Sequence, residues 1–285
     1  MPEAKTSMEE TGTVRPGGAA GETQTGVGGT QSATGTTPVG TAGAKPAGIE
    51  DERAAAQAVR QMFDEIAPRY DFANHTLSLN VDRLWWRRTA RTFSHILKRD
   101  DARVLDLCAG TGDMAVALRS AASREKSSTA ICALDFSHQM LQHGLDKYAR
   151  NQIQPVEADA LRLPLSDASV DLVVSAFGFR NLANYDAGLR EIFRVLKPGG
   201  EVGILDFGEP GGLLGKLYGF YFRKILPRIG TFISGVRGPY EYLPASVKKF
   251  PAPQQMLGRM ESAGFQDVSW TPYTFGIAGL YRGKR

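Results

Sequence analysis

The residues of this chain best placed to do chemistry are three aspartates, each standing where an apolar run ends. The first lies in Asp106-Leu107-Cys108-Ala109-Gly110-Thr111-Gly112-Asp113, which joins a strand-like run to a helical stretch. Glycines there let the backbone turn tightly and approach a ligand, and the helix that follows offers free N–H groups. By itself the pattern is ambiguous, because Gly110, Gly112 and Ala115 also satisfy the dinucleotide spacing GxGxx(G/A). The acids separate the two readings. A pyrophosphate is repelled by Asp106 and Asp113, whereas a sulfonium and an α-ammonium are attracted. Each such contact carries roughly 4 kcal/mol of Coulomb energy at about 4 Å and an effective dielectric near 20, before desolvation. Asp135 stands at the right distance further on to accept both hydroxyls of a ribose. Asp159 follows a third run and precedes Leu161 to Leu165 (LRLPL), so its carboxylate can take an adenine amine while apolar neighbours sandwich the ring. One such aspartate is as often a helix cap or a solvated turn. Three in register point to a single ligand, S-adenosylmethionine.

Elements that would position these residues follow from periodicity. Arg103 to Cys108, Ala130 to Asp135, Gln154 to Glu157, Val170 to Ser175 and Glu201 to Asp206 read as short strands. Helical stretches start near Asp113 and Ser137 and run from Tyr185 to Leu196, the last stopped by Lys197-Pro198-Gly199-Gly200. Two more precede the strands, one carrying Val59, Met62, Phe63 and Ile66, the other spanning Leu84 to Leu97. Strands alternating with helices predict an α/β fold with a doubly wound, mostly parallel sheet and sites at the strands' carboxyl ends. Gly264 to Arg285 alternates like an antiparallel strand pair across Pro272 to Phe275.

The first 48 residues are of another kind. Gly, Thr, Ala, Pro and Ser dominate them, leaving too little apolar surface to offset the entropy of ordering a backbone. A disordered tail over 1–48 and one domain over 49–285 are expected. Composition excludes little else: 42% hydrophobic and 22% charged residues are ordinary for a globular chain, and a net charge of +4 allows an anionic partner without requiring one. No stretch is apolar enough to span a membrane, and no secretory leader is seen, so the cytoplasm is the expected location. Cys108 and Cys132 sit in strand-like runs and read as packing residues. His75, His95, His138 and His143 share no metal-ligand spacing, and no metal is expected.

Beyond the cofactor motif, Tyr70-Asp71-Phe72-Ala73-Asn74 with Ser78 and Arg83-Leu84-Trp85 resembles the first signature of the ubiquinone/menaquinone biosynthesis C-methyltransferases. Phe177-Gly178-Phe179-Arg180-Asn181, followed by Arg194 to Gly200 (RVLKPGG), resembles the second, and Tyr242-Leu243, Ser246 and Phe250-Pro251 a third stretch. The resemblance spans about Val59 to Lys284. It implies a class I S-adenosylmethionine methyltransferase in which Thr111, Asp135, Asp159 and Ala160 bind the cofactor. The implied substrate is a polyprenyl quinol, most simply demethylmenaquinol, methylated on a ring carbon; a methoxybenzoquinol of ubiquinone biosynthesis is the alternative. Two positions depart from the family. Ala176 stands where the family usually has Ser, and Asp82 where it commonly has His. No cofactor contact is therefore carried to Ala176, and no histidine base is assumed.

Ring methylation needs a phenolate to push charge onto carbon, and a phenol's pKa is about 10, so the site must lower it or supply a base. Arg180 is expected to stabilise the phenolate, since a guanidinium stays protonated; the bland alternative is a structural ion pair. Asn181 is expected to orient the hydroxyl, with Asp82 and Tyr70 (or Asp71) as base or relay. Because an isoprenoid tail lives in a bilayer, Leu213 to Val236, mixing aromatic, aliphatic and basic residues, reads as a helix lying at the membrane's inner face or lining a tail-binding groove, with ordinary packing as the bland alternative. A homo-oligomer is left open. No Asn-Pro-Pro-aromatic motif or Pro-Cys pair supports a nucleic-acid methyltransferase, and the run Arg83, Arg87, Arg88, Arg91 reads as a solvated helix face. A non-enzymatic cofactor-binding protein and an NAD-dependent dehydrogenase are the remaining alternatives.

Overall fold

The computed structural model describes residues 43, 44, 46, 48, 49, 51–69, 80–212 and 238–285, with a few isolated positions between. The chain divides into Met1–Val39 and Gly40–Arg285. The expected interfacial stretch at Leu213 to Val236, and Tyr70 and Asp71, lie outside the described residues except for isolated positions in that stretch.

Helix α1 (Glu52–Ile66) is capped by Asp51, whose side chain accepts from the Ala54 N–H. Ahead of it, Ala44 is buried and its N–H donates to the Leu182 carbonyl at 2.7 Å, so packing begins earlier than Ile49. The predicted helix from Leu84 to Leu97 is two: α2 (Val81–Thr92) and the single turn α3 (Ser94–Leu97), broken where Phe93 leaves helical geometry to bury its ring completely. Strands and helices then alternate: β1 (Arg103–Leu107), α4 (Asp113–Arg124), β2 (Ala130–Asp135), α5 (His138–Arg150), β3 (Gln154–Glu157) and β4 (Val170–Ala176). After α6 (Tyr185–Val195), β5 (Leu196–Phe207) takes in the whole Lys197 to Gly200 turn. A register irregularity absorbs the extra residues: Val170 faces Leu196 while Leu172 faces Glu201. Helices α7 (Gly238–Lys249) and α8 (Pro253–Ser262) precede β6 (Gln266–Tyr273) and β7 (Ala278–Lys284).

The seven strands lie in the order β3-β2-β1-β4-β5-β7-β6, with β7 antiparallel to both neighbours. The predicted fold class is the observed one. Both faces are covered, as a parallel sheet requires. Val104, Ile131, Leu172 and Leu205 pack under α2 and α4 on one face, Leu105, Leu107, Val173 and Ile204 under α6 and α8 on the other. Period-two alternation places Asp106 beside Val104, on a core-facing position where an apolar residue is normal.

Candidate active site

The cofactor half is assembled at the ends of β1, β2 and β3. Parallel register brings Leu107 level with Leu134, and Asp135 level with Glu157. Asp135 ties two loops together: its Oδ2 accepts the Gly110 N–H at 2.8 Å and its Oδ1 the Ser137 N–H at 2.9 Å. Each oxygen retains a lone pair, the number a vicinal diol needs. Burial pushes this carboxyl up to about 6, with those amides opposing and the Asp64 charge adding to it. Asp64 reaches the site from α1, accepting from the Ser137 hydroxyl at 2.5 Å. On β3, Glu157 pairs with Arg60 of α1 and with His138, whose hydrogen bond holds its carboxyl below the usual range. Asp159 is exposed and spends one oxygen on the Leu161 N–H at 2.8 Å, while Ala160 beside it is buried.

Behind the glycine loop stands Tyr148, which nothing in the sequence singled out. Its hydroxyl donates to the Gly110 carbonyl at 2.7 Å, and its ring lies where a Cβ on Gly112 (φ 95°) would come within 2.4 Å. Only glycine fits there. A Cβ on Gly110 (φ 58°) would meet nothing within 4 Å, so that backbone faces open space. Thr111 is buried, with Lys147 Nζ at 3.5 Å from its hydroxyl.

The two loop acids differ in their surroundings. Asp113 is paired with Lys147 at 2.7 Å, and Asp106 is fully buried with neither oxygen hydrogen-bonded. Desolvation pushes the Asp106 carboxyl well up, and the Asp135 and Asp113 charges add to this. Lys147 thus pairs the Asp113 charge, and burial opposes charge on Asp106. What the donor set does fit is S-adenosylmethionine. A buried, unpartnered Asp106 carboxyl, an open backbone at Gly110 and a diol-matched Asp135 sit side by side.

Cys108, next in the loop, adopts φ 58° without being glycine. Its thiol is pushed well up by burial and then by Asp135 and Asp106; burial likewise raises Cys132. A Cβ on Gly178 would sit 2.3 Å from the Cys108 Cβ, so the loop after β4 lies directly on the loop after β1. This contact joins the two halves.

The second half is built from β4 and β5. Phe177, also left-handed at φ 59°, ends β4; a short 3₁₀ turn then carries Phe179, Arg180 and Asn181, all buried. Asp206, near the end of β5, accepts from both the Arg180 N–H and its Nη1 at 3.1 Å, and from the Phe207 N–H at 2.8 Å. Nη1 also donates to the Phe177 carbonyl, while Arg180 Nε is buried without a partner. Burial raises the Asp206 carboxyl and the Arg180 charge counters it. The guanidinium lies 5.3 Å from the Phe207 ring. Phe177 and Phe207 are 4.5 Å apart, and Trp85 of α2 closes on them at 5.8 and 6.3 Å. Asn181 Oδ1 accepts from the Tyr242 hydroxyl at 3.2 Å, and burial pushes that phenol up to about 12. Asp82 is buried in the first turn of α2, one oxygen on the Arg83 N–H at 2.7 Å. Trp85 and Tyr242 stand in stretches that carry the family resemblance. Asp206 has no local signal, since its role depends on a contact 26 residues away.

An acid-rich, glycine-turned cofactor loop on this sheet order defines a methyltransferase of the S-adenosylmethionine-dependent class. The fold is similar to that of an S-adenosylmethionine-dependent methyltransferase from Thermotoga maritima, with a TM-score of 0.55 over 79% of this chain and 99% of that one, at 17% identity. The model of the ubiE/COQ5 methyltransferase family matches residues 50–285, and the chain belongs to that family. Its relatives include a demethylmenaquinone methyltransferase of Deinococcus radiodurans, 45% identical over 83% of this chain and 96% of the relative. Another, from Geobacter sulfurreducens, is named ubiquinone/menaquinone biosynthesis C-methyltransferase UbiE and is 42% identical over 80% of this chain and 88% of its own length. The chain is thus an enzyme that transfers a methyl group from S-adenosylmethionine.

Proposed function

We propose that the enzyme methylates a ring carbon of a polyprenyl naphthoquinol, converting a demethylmenaquinol to a menaquinol. The observation that carries this reading is the buried Arg180–Asp206 pair set against the Trp85, Phe177 and Phe207 rings. Flat aromatic walls suit a flat aromatic acceptor, and a fixed cation beside them lowers the pKa of a phenol. The more similar relative carries a name specific to demethylmenaquinone, which favours the naphthoquinol over a benzoquinol.

Asp135 holds the ribose hydroxyls, Asp159 and Ala160 the adenine, and Asp106, Gly110, Thr111 and Gly112 line the methionine end. When bound, S-adenosylmethionine supplies an electrophilic methyl on a sulfonium. Arg180, held by Asp206, stabilises negative charge on the phenol oxygen. With its Oδ1 taken by Tyr242, Asn181 has its amide N–H groups left to donate to that oxygen. Asp82, one helical turn before the Trp85–Trp86 pair, takes the proton, with Tyr70 as relay. The tail up to Val39 has no part in this, the work is done on the domain that follows, and the enzyme meets its substrate at the inner face of the membrane.

Incubation with isotope-labelled S-adenosylmethionine and a short-tail demethylmenaquinol should give a product labelled on ring carbon. Label on oxygen, or preferential turnover of a methoxybenzoquinol, would overturn the assignment.

A further inference from the structure

We propose that the outer face of α2, together with the tip of the β6–β7 hairpin, is a docking surface for an anionic phospholipid bilayer. The inference rests on the quinol reading above, because only a tailed acceptor requires the enzyme to meet a membrane.

The helix has two unlike sides. Asp82, Trp85, Thr89 and Ala90 are buried, whereas Arg83, Leu84, Arg87, Arg88 and Arg91 are exposed. At 100° per residue these five fall within an arc of about 140°. Among the described residues no carboxylate pairs with any of the four arginines: Arg88 stacks 4.1 Å over the Tyr273 ring, and the others have no ion-pair partner. Arg60, Arg99, Arg150, Arg194, Arg259 and Arg282 meet acids, while exposed Arg124 and Arg190 have no ion pair among the described residues; what sets α2 apart is four such arginines on one helix face. An uncompensated row of guanidinium groups fits a surface of phosphates.

Two apolar side chains stand in the same place. Leu84 is 58% exposed within the arginine arc, and Phe275 is 82% exposed at the hairpin tip. Thr274, Phe275 and Gly276 all have positive φ, so the tip is a tight turn that holds the Phe275 ring outward. Left in water such a ring gains nothing, but a bilayer's acyl boundary takes it favourably. The two elements are pinned together. Trp85 Nε1 donates to Thr274 Oγ1 at 2.8 Å, and the Thr89 hydroxyl lies 3.4 Å from that of Tyr273. Trp85 also connects this surface to the acceptor half, since its ring packs on Phe177 and Phe207. Cations, an apolar wedge and the acceptor pocket are thereby contiguous, which is the arrangement that delivers a tailed quinol from a bilayer.

The test is flotation of the full chain with phosphatidylglycerol/phosphatidylcholine vesicles. Wild type should float with them, stay behind with pure phosphatidylcholine, and be released as salt is raised from 0.1 to 0.5 M, where a screening length of roughly 10 Å shrinks about twofold. Arg87→Gln/Arg91→Gln should weaken partitioning about fivefold per arginine, on the order of thirtyfold together. Phe275→Asn, chosen because asparagine tolerates the left-handed backbone, should weaken it several-fold to about tenfold. Both variants should methylate a short-tail quinol without vesicles as wild type does, which shows that they are folded. Unchanged flotation of the variants, binding indifferent to lipid charge, or arginine-dependent binding to duplex DNA in place of vesicles would each overturn the proposal. A wild-type enzyme that floats as expected yet methylates no quinol would instead overturn the substrate assignment.

Discussion

The two halves of the site are made of different materials. The cofactor half is mostly backbone and carboxylates: the Gly110 and Ser137 amides tied to Asp135 and the Gly110 carbonyl tied to Tyr148, within a short reach of the strand ends. The acceptor half is a buried ion pair and a ring cluster drawn from α2, β4, β5, α7 and the hairpin, with Trp85 and Thr274 189 residues apart. A ligand recognised through backbone geometry constrains a short run of sequence. One recognised through packed side chains constrains the whole fold.

That difference makes the halves separable by mutation. Asp135→Ala removes the acceptor for both ribose hydroxyls, so S-adenosylhomocysteine affinity should fall by at least about 100-fold in calorimetric titration, in a variant that keeps the wild-type circular dichroism spectrum. Arg180→Lys, which keeps the charge but loses the fork held by Asp206, should cut single-turnover methyl transfer by about 10²- to 10³-fold. Its S-adenosylhomocysteine affinity should stay within about threefold of wild type, and its pH–rate profile should move to higher pH because the phenol then ionises less readily. A parallel loss of affinity would show the halves to be one cooperative unit.

The cofactor half has its own pH signature. A carboxyl raised to about 6 keeps its proton below that pH, and the hydroxyl donors then find a neutral group. S-adenosylhomocysteine affinity should therefore weaken by up to about tenfold per unit as pH falls below 6 and be level above it. An affinity flat from pH 5 to 8 contradicts this. In the acceptor half, Tyr242→Phe frees Asn181 Oδ1 and should lower kcat a few-fold while leaving cofactor affinity alone. Last, both halves lie within Gly40–Arg285, so removing Met1–Val39 should shift neither activity nor Tm by more than about 2 °C.

How much of this was legible follows the same division. Asp135 and the glycine loop were readable because their partners lie at adjacent strand ends, fixed by parallel register. The sheet was readable because period-two and helical patterns alternate regularly, although β5 ran through a turn that a local reading treats as a stop. What the sequence did not carry is the surroundings set by distant neighbours: Asp113 pairs with Lys147, and Asp106 is buried in the sheet. Arg180 was visible as a residue, but its bond to Asp206 was not, nor was the way the hairpin docks on Trp85.

Cys108 and Cys132 matter for a hazard the enzyme's own substrate creates. A quinol oxidises readily to a quinone, and quinones alkylate thiolates by conjugate addition. Only the ionised sulfur is a competent nucleophile. Burial holds both thiols toward the protonated form, and the carboxylates around the cofactor loop deepen the effect at Cys108. The acids that shape the cofactor site thereby hold the sulfur nearest to it toward the thiol, the form a quinone does not readily alkylate.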